Sequence, residues 1–125
     1  MKRSAIPRRP SRPQLRSAQL YALARKEVWA RENDLCAVCS APGEQVHHRL
    51  PRGMGGDRAS SALSRLLLLC AACHQRVESH REHAMQLGLL VPRGKLGVQN
   101  TEQARVFYRG RWCRLTDDGY VIDLE

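Results

Sequence analysis

Aromatic side chains are scarce in this chain: one Phe, two Trp and three Tyr among 125 residues. So few large side chains exclude a core built mainly on aromatic packing, and a chain of this size gains from a bound structural metal. Long apolar runs are missing as well. None approaches the roughly 20 residues that a bilayer crossing needs, so no membrane partner is expected. The basic N-terminus is followed by no hydrophobic segment of the secretory kind, and the expected location is the cytoplasm. Acid is scarce in one region only. Residues 1–31 hold nine Lys/Arg and a single acid, whereas residues 32–125 hold twelve Lys/Arg against eleven acids. The net charge of +9 and pI near 10.1 therefore belong mostly to the N-terminal segment. Such a field favours a polyanionic partner, with nucleic acid the leading candidate.

What is present in unusual arrangement is cysteine and histidine. Two Cys-x-x-Cys pairs, Cys36/Cys39 and Cys70/Cys73, bracket the double histidine His47-His48, and His74 directly follows the last thiol. Four thiols at this spacing can hold one structural zinc, and they suit a reducing compartment better than a disulfide framework. The fifth cysteine, Cys113, reads as a small half-buried strand residue.

The organisation is that of one small α+β domain with attachments. Residues 1–12 form a Pro- and Arg-rich arm that cannot bury enough apolar surface to fold alone. Residues 13–93 form the main domain. It opens with a helix over Pro13–Arg31, packing through Leu20, Leu23, Ala24, Val28 and Trp29 or Ala30, with Arg31 among the residues on its exposed side. Asn33-Asp34 ends that helix ahead of a zinc knuckle over Cys36–Gly43. Thirty residues separate Cys39 from Cys70, so the insert needs structure of its own. Strands are expected over Gln45–Leu50 and Arg65–Leu69, joined through the Gly-rich Arg52–Asp57 segment. A helix should follow over Ala71–Leu87, capped by Gly88 and barred from continuing by Pro92. Residues 94–125 read as a small antiparallel β appendage. Its strands are Val106–Tyr108, Arg111–Leu115 and Tyr120–Ile122, with turns at Arg109-Gly110 and Asp117–Gly119. Trp112 is assigned to the core there, in preference to a nucleic-acid contact shared with Arg109 and Arg111.

The chemistry follows from spacing. His74 and Glu78 are four residues apart, so a helix stacks them on one face, where a nitrogen and a carboxylate can share a divalent cation. His80 and His83 lie well round the helix from His74 and read as solvated or structural. Adjacent side chains on a regular strand point to opposite faces, so both His47 and His48 can serve one site only if the backbone there is irregular. A phosphodiester hydrolase needs an activated water and a cation on the scissile phosphate and leaving oxygen. The inventory supplies His47, His74 and Glu78 as ligands, and His48 as a general base near neutral pH. Arg49, Arg52, Arg65 and Arg76 are candidates for contact with the nucleic-acid phosphates.

The ordered pattern Cys-x-x-Cys, His-His-Arg-Leu, Gly-Gly, Leu-x-x-Leu-Cys-x-x-Cys-His and Val-Glu-Ser resembles the HNH endonucleases. The stretches HHRLPRGMGG and CHQRVESHR are most similar to members encoded by bacteriophages. The likeness runs from Cys36 to about Val91. It implies a ββα-metal core stapled by a zinc on four cysteines, and metal-dependent cutting of DNA. By position, it makes His47 a ligand of the catalytic cation and His48 the general base. His74 matches the last histidine of the motif, and Glu78 stands where related enzymes carry a further histidine. Besides Zn2+ in the four-cysteine site, one catalytic cation is implied, Mg2+, Mn2+, Ni2+ or Zn2+. A link to the phage packaging machinery, the terminase or portal proteins, is implied too.

One position departs from the family. Where it carries Asn before the Leu-x-x-Leu-Cys run, this chain has Arg65, with Ser64 beside it. Arg accepts no hydrogen bond and repels a cation. The alternative reading is therefore a zinc-containing accessory protein that binds DNA or a packaging protein without cutting. A zinc-organised transcription regulator would want a groove-reading helix, and the acidic–basic mixture over Ala71–Leu87 argues against it.

Overall fold

The computed structural model describes residues 16–50, 61–92 and 100–124. The expected N-terminal arm, the helix start at Pro13, Arg52 and the Gly-rich segment lie outside the described residues. Helix α1 spans Ser17–Arg31, and strands β1 (Gln45–His48) and β2 (Leu66–Leu69) form a two-stranded antiparallel sheet. Helices α2 (Ala71–Ser79) and α3 (Arg81–Gln86) follow. Strands β3 (Val106–Tyr108), β4 (Arg111–Leu115) and β5 (Val121–Asp123) then make a three-stranded antiparallel sheet. The chain is thus a mixed α+β protein.

Strand β2 is the centre of the molecule. All four of its leucines are buried, as an uninterrupted apolar run requires of a strand covered on both faces. Side chains alternate along it. Leu66 and Leu68 pack with Ala24 and Val28 of α1, whereas Leu67 and Leu69 pack with Cys70, Cys73 and Val77 on the other side. Each buried leucine contributes about 1.5–3 kcal/mol relative to an exposed one. That second cluster also takes in Ala84 of α3, Val106 of β3 and Leu115 of β4, so the C-terminal sheet shares its core with the zinc-knuckle region. Two backbone bonds reinforce this: Phe107 N–H donates to the Leu87 carbonyl at 2.8 Å, and Arg109 N–H to the Ala37 carbonyl at 2.9 Å.

Helix α1 buries Ala24 and Val28 as its spacing predicts, but Leu23 is left exposed. Arg31, expected on the exposed side, is turned inward instead. Its guanidinium grips the buried Glu32 carboxylate at 2.7 and 2.9 Å and donates to the carbonyls of Leu63 and Leu66. Glu32 also accepts from Tyr108 Oη at 2.9 Å and from the Leu68 amide at 3.1 Å. A buried ion pair is tolerable only when the surrounding groups satisfy its lone pairs and protons, and here two carbonyls, an amide and a phenol surround it. Burial and the Glu32 carboxylate both push the Tyr108 phenol up from its ordinary value, which keeps it protonated as a donor. Asn33 and Asp34 then take left-handed φ values of 54° and 62° and end the helix where the sequence suggests.

The helix expected over Ala71–Leu87 is two helices. His80 breaks it, with φ −128° and ψ 64°. Val77 and Ala84 are both buried and would share a face on an unbroken helix too, so burial spacing does not announce the break. The local signal is the pair Ser79-His80, both weaker helix formers than their neighbours. Gly88 ends α3 with φ 73°, and a Cβ there would collide with the Arg105 carbonyl, so the C-terminal sheet can close onto this turn only over a glycine. In the hairpin between β3 and β4, Arg109 and Gly110 both have left-handed φ, 49° and 82°, the two-residue turn expected from the sequence. Strand β5 lies one residue later than expected.

Candidate metal centres

The first centre is closed. The knuckle after α1 reverses the chain through Ser40, with φ 63°, and a Cys36 N–H bond to the Ala41 carbonyl at 2.6 Å. This brings Cys36 and Cys39 against the junction of β2 and α2, where Cys70 caps the helix and Cys73 lies in its first turn. The four sulfurs lie within 4.8 Å of one another, and those of Cys39 and Cys70 are 3.7 Å apart. Sulfurs about 2.3 Å from a tetrahedral zinc stand about 3.8 Å from one another, whereas a disulfide would need about 2.05 Å. The donor set therefore fits zinc and not a disulfide. Amides help to hold the thiolates: Val38 N–H points at Cys36 Sγ and Cys73 N–H at Cys70 Sγ, each at 3.4 Å. Burial opposes ionisation of Cys36, yet the amide bonds of Cys39, Cys70 and Val38 outweigh it and bring the thiol down to about 7. Only Cys39 is exposed.

The second grouping is open. β1 pairs with β2 in unbroken register, Val46 opposite Leu68, His47 opposite Leu67 and His48 opposite Leu66. The faces follow from β2. His47 shares the side of Leu67, toward α2, and His48 the side of Leu66, toward α1. The irregular backbone expected at the double histidine is absent, so one ring only joins the cluster. A continuous ladder against a strand buried on both faces leaves the backbone no room to twist. His47 is buried, with its ring centroid 5.4 Å from that of His74, and the ligand atoms of His47, His74 and Glu78 lie within 4.8 Å of one another. His48 stacks on Tyr21 of α1 instead, with centroids 5.4 Å apart and ring planes 20° from parallel.

The ionisation of His47 suits a ligand. Nε2 lies 2.8 Å from the Leu89 carbonyl, which can only accept, so Nε2 carries the proton and Nδ1 keeps its lone pair. Burial pulls its pKa down to about 4, against the contrary pull of the Leu89 bond, so the ring is neutral at physiological pH. His74 Nε2 and Glu78 Oε1 are 4.0 Å apart on consecutive turns of α2. Ligands about 2.1 Å from one ion stand about 3 Å apart when adjacent, so closing this pair takes a rotation of the exposed Glu78 side chain. Arg81 reaches the other Glu78 oxygen at 3.2 Å. Arg81 was missed in the sequence, although its i,i+3 spacing from Glu78 on the expected helix was a signal that could have found it.

Of the four arginines expected on phosphate, Arg49 is a correction. It is fully buried, and its guanidinium donates to the carbonyls of Gly88 (2.8 Å), Ser64 (2.7 Å), Thr101 (3.2 Å) and Ala104 (2.9 Å). Burial, followed by repulsion from Arg31, lowers it to about 10, still charged at neutral pH. Arg49 thus ties four chain segments together from the interior, where full burial keeps it from a phosphate. Ser64, the neighbour of Arg65, is buried and bonded to Thr101 Oγ1 at 2.5 Å and to the Asp117 carboxylate. Arg65 is half-buried at the start of β2, and its carbonyl accepts the Arg49 amide at 2.7 Å. Arg76 is exposed on α2, but two residues on from His74 it points about 200° round the helix, away from the cluster. His80 and His83 are exposed. Comparison with models of known protein families, with curated proteins and with solved structures finds no match for this chain.

Proposed function

We propose that this protein is a metal-dependent endonuclease of the HNH kind, hydrolysing DNA phosphodiester bonds at a cation held by His47, His74 and Glu78. The observation that carries the reading is the convergence of these three side chains, from β1 and α2, beside a separate set of four thiols. The order strand, strand, helix around the triad supports the reading, since a ββα-metal core would have that order. Two imidazole nitrogens and a carboxylate leave coordination positions for water and a phosphate oxygen, and suit a transition ion, with Mg2+ delivered on the phosphate as the harder option. The cation would supply Lewis-acid stabilisation of the phosphorane and of the departing oxygen. In this chain, His47 and His74 present lone pairs, Glu78 neutralises charge, and Arg81 stands ready to take a phosphate oxygen once the cation claims Glu78. Cys36, Cys39, Cys70 and Cys73 would hold a structural zinc that fixes the first turn of α2, and so His74, against the knuckle.

His48, the base implied by position, presents its ring to Tyr21 on the far side of β1. It acts in this reaction only by reaching the phosphate past the open edge of that strand. His48→Ala tests this apart from the rest. Lost cutting with retained cation binding puts His48 in the reaction; unchanged cutting removes it. The same observation favours the second reading, a DNA-binding accessory protein of the packaging machinery that does not cut. Incubating supercoiled plasmid with the zinc-loaded protein across Mg2+, Mn2+, Ni2+ and Zn2+ separates the two. Nicked or linear product that His74→Ala fails to make supports the nuclease; salt-sensitive binding without product at every cation supports the accessory protein.

A further inference from the structure

The scarce aromatics of this chain are not all spent on its core. In the C-terminal sheet, Val106, Cys113 and Leu115 face inward and are buried. Alternation and register set the other face: Phe107 opposite Trp112, and Arg114 opposite Ile122. Phe107 and Trp112 are half-buried and meet edge to face, with centroids 5.2 Å apart. The Arg105 guanidinium lies 4.1 Å over the Trp112 ring. Tyr120, Ile122 and Leu124 flank them and are exposed by 68%, 42% and 43%. Trp112 is therefore neither core nor a companion of Arg109 and Arg111, as its neighbours in sequence suggested. Arg109 is turned inward to the carbonyls of Glu32 and Leu35, and Arg111 pairs with Asp123 at the strand ends. The arginines on the face of Trp112 come from two positions along, Arg114, and from the residue that precedes β3, Arg105. Arg114 meets only a long contact to Gln103 at 3.4 Å, and its buried Nε has no hydrogen-bond partner among the described residues. Among the described residues, these strands place no carboxylate on this face.

We propose that the outer face of the β3–β4–β5 sheet is a binding platform for unpaired bases of single-stranded DNA. Half-exposed rings such as Phe107 and Trp112, with the exposed Tyr120 beside them, can stack bases whatever their sequence, and neighbouring arginines take the intervening phosphates. A duplex already stacks its base faces, and a flat sheet offers no projecting element to enter its grooves, so the fit is to the single strand. The charge agrees, since two arginines without a carboxylate complement a polyanion and not a basic protein. This surface deepens the nuclease reading but does not depend on cutting.

The test is anisotropy of a labelled oligothymidylate with the full-length, zinc-loaded chain and no second cation added, so that nothing is cut. Trp112→Ala, and separately Arg105→Gln with Arg114→Gln, should each weaken binding about tenfold, while Trp112→Phe restores most of it. Glu82→Gln, at an exposed position of α3 away from both sites, should bind as wild type does, and the absence of a second cation keeps failure of the nuclease reading distinct from failure here. Should Trp112→Ala fold poorly, as judged by circular dichroism, the arginine pair still decides. Unchanged affinity in the arginine variant, or preference for a duplex of matched length, overturns the proposal. So does a concentration-dependent dimer that Ile122→Asp dissolves, since a second copy would then cover this face.

Discussion

The two side-chain clusters built around α2 differ in what surrounds them. The four thiols are closed in: three are buried, amides point at the sulfurs, and the chain reverses tightly to deliver them. The His47–His74–Glu78 group grades from a buried ring to an exposed carboxylate within one helical turn. Cys73 and His74 are adjacent in sequence yet belong to different clusters, because successive residues of a helix point about 100° apart. A closed set of soft donors suits a structural metal, whereas an open set with a buried imidazole and an exposed acid suits the exchangeable cation proposed here.

The comparison breaks most visibly at the thiols. Apparent zinc binding in small zinc modules is worth about 10–16 kcal/mol at neutral pH. Cys73→Ser should therefore lose its zinc and its cooperative thermal transition together, followed by circular dichroism and metal analysis. His74→Ala should keep both, and if it melts like Cys73→Ser the division of labour is wrong.

Arg49 sharpens the same contrast from the side of stability. Arg49→Met leaves the Gly88, Ser64, Thr101 and Ala104 carbonyls unpaired in the interior, at a cost of about 3–5 kcal/mol in urea unfolding. DNA affinity should follow only the folded fraction. A variant of wild-type stability that binds DNA less well would return Arg49 to the phosphates.

A pH effect comes next, and its sign follows from His47. In the unfolded chain its imidazole takes a proton near 6.5, whereas in the fold burial delays this to about 4. Between those values the unfolded state binds the extra proton, so this stabilising contribution is present above pH 6.5 and is lost as pH falls toward 4. His47→Leu should lack that part of the acid slope when the two unfolding curves are compared. Equal slopes would mean that His47 is already charged in the fold.

Glu78→Gln should have the smallest effect. Its side chain is half exposed and lies at the rim, so losing its charge should weaken the second cation about tenfold, or about 1.4 kcal/mol, in a Mn2+ titration of cutting. The zinc content should not change.

Much of this was legible in the chain because spacing carries it. The C-x-x-C pairs, the i,i+4 placement of His74 and Glu78, the four-leucine strand and the Arg109-Gly110 hairpin are local patterns with one good geometry each. What was not legible depends on tertiary partners. Nothing local distinguishes Arg31 and Arg49, which turn inward to carbonyls, from arginines that stay solvated. The pairing of β1 with a doubly buried strand decided which histidine faces α2, and that required knowing β2 was covered on both sides. The platform of Arg105, Phe107, Trp112 and Arg114 spans two strands, so no single stretch displays it.

The most direct measurement is plasmid cutting as a function of added Mn2+ by the zinc-loaded wild type and His74→Ala, with bound zinc counted in both. The expected result is cutting that rises with the second cation in the wild type and falls at least about hundredfold in the variant, a loss of about 2.7 kcal/mol of transition-state stabilisation, with one zinc retained by each. Equal cutting by the two proteins, or none by the wild type with any cation, would contradict the assignment of His47, His74 and Glu78 to a catalytic centre.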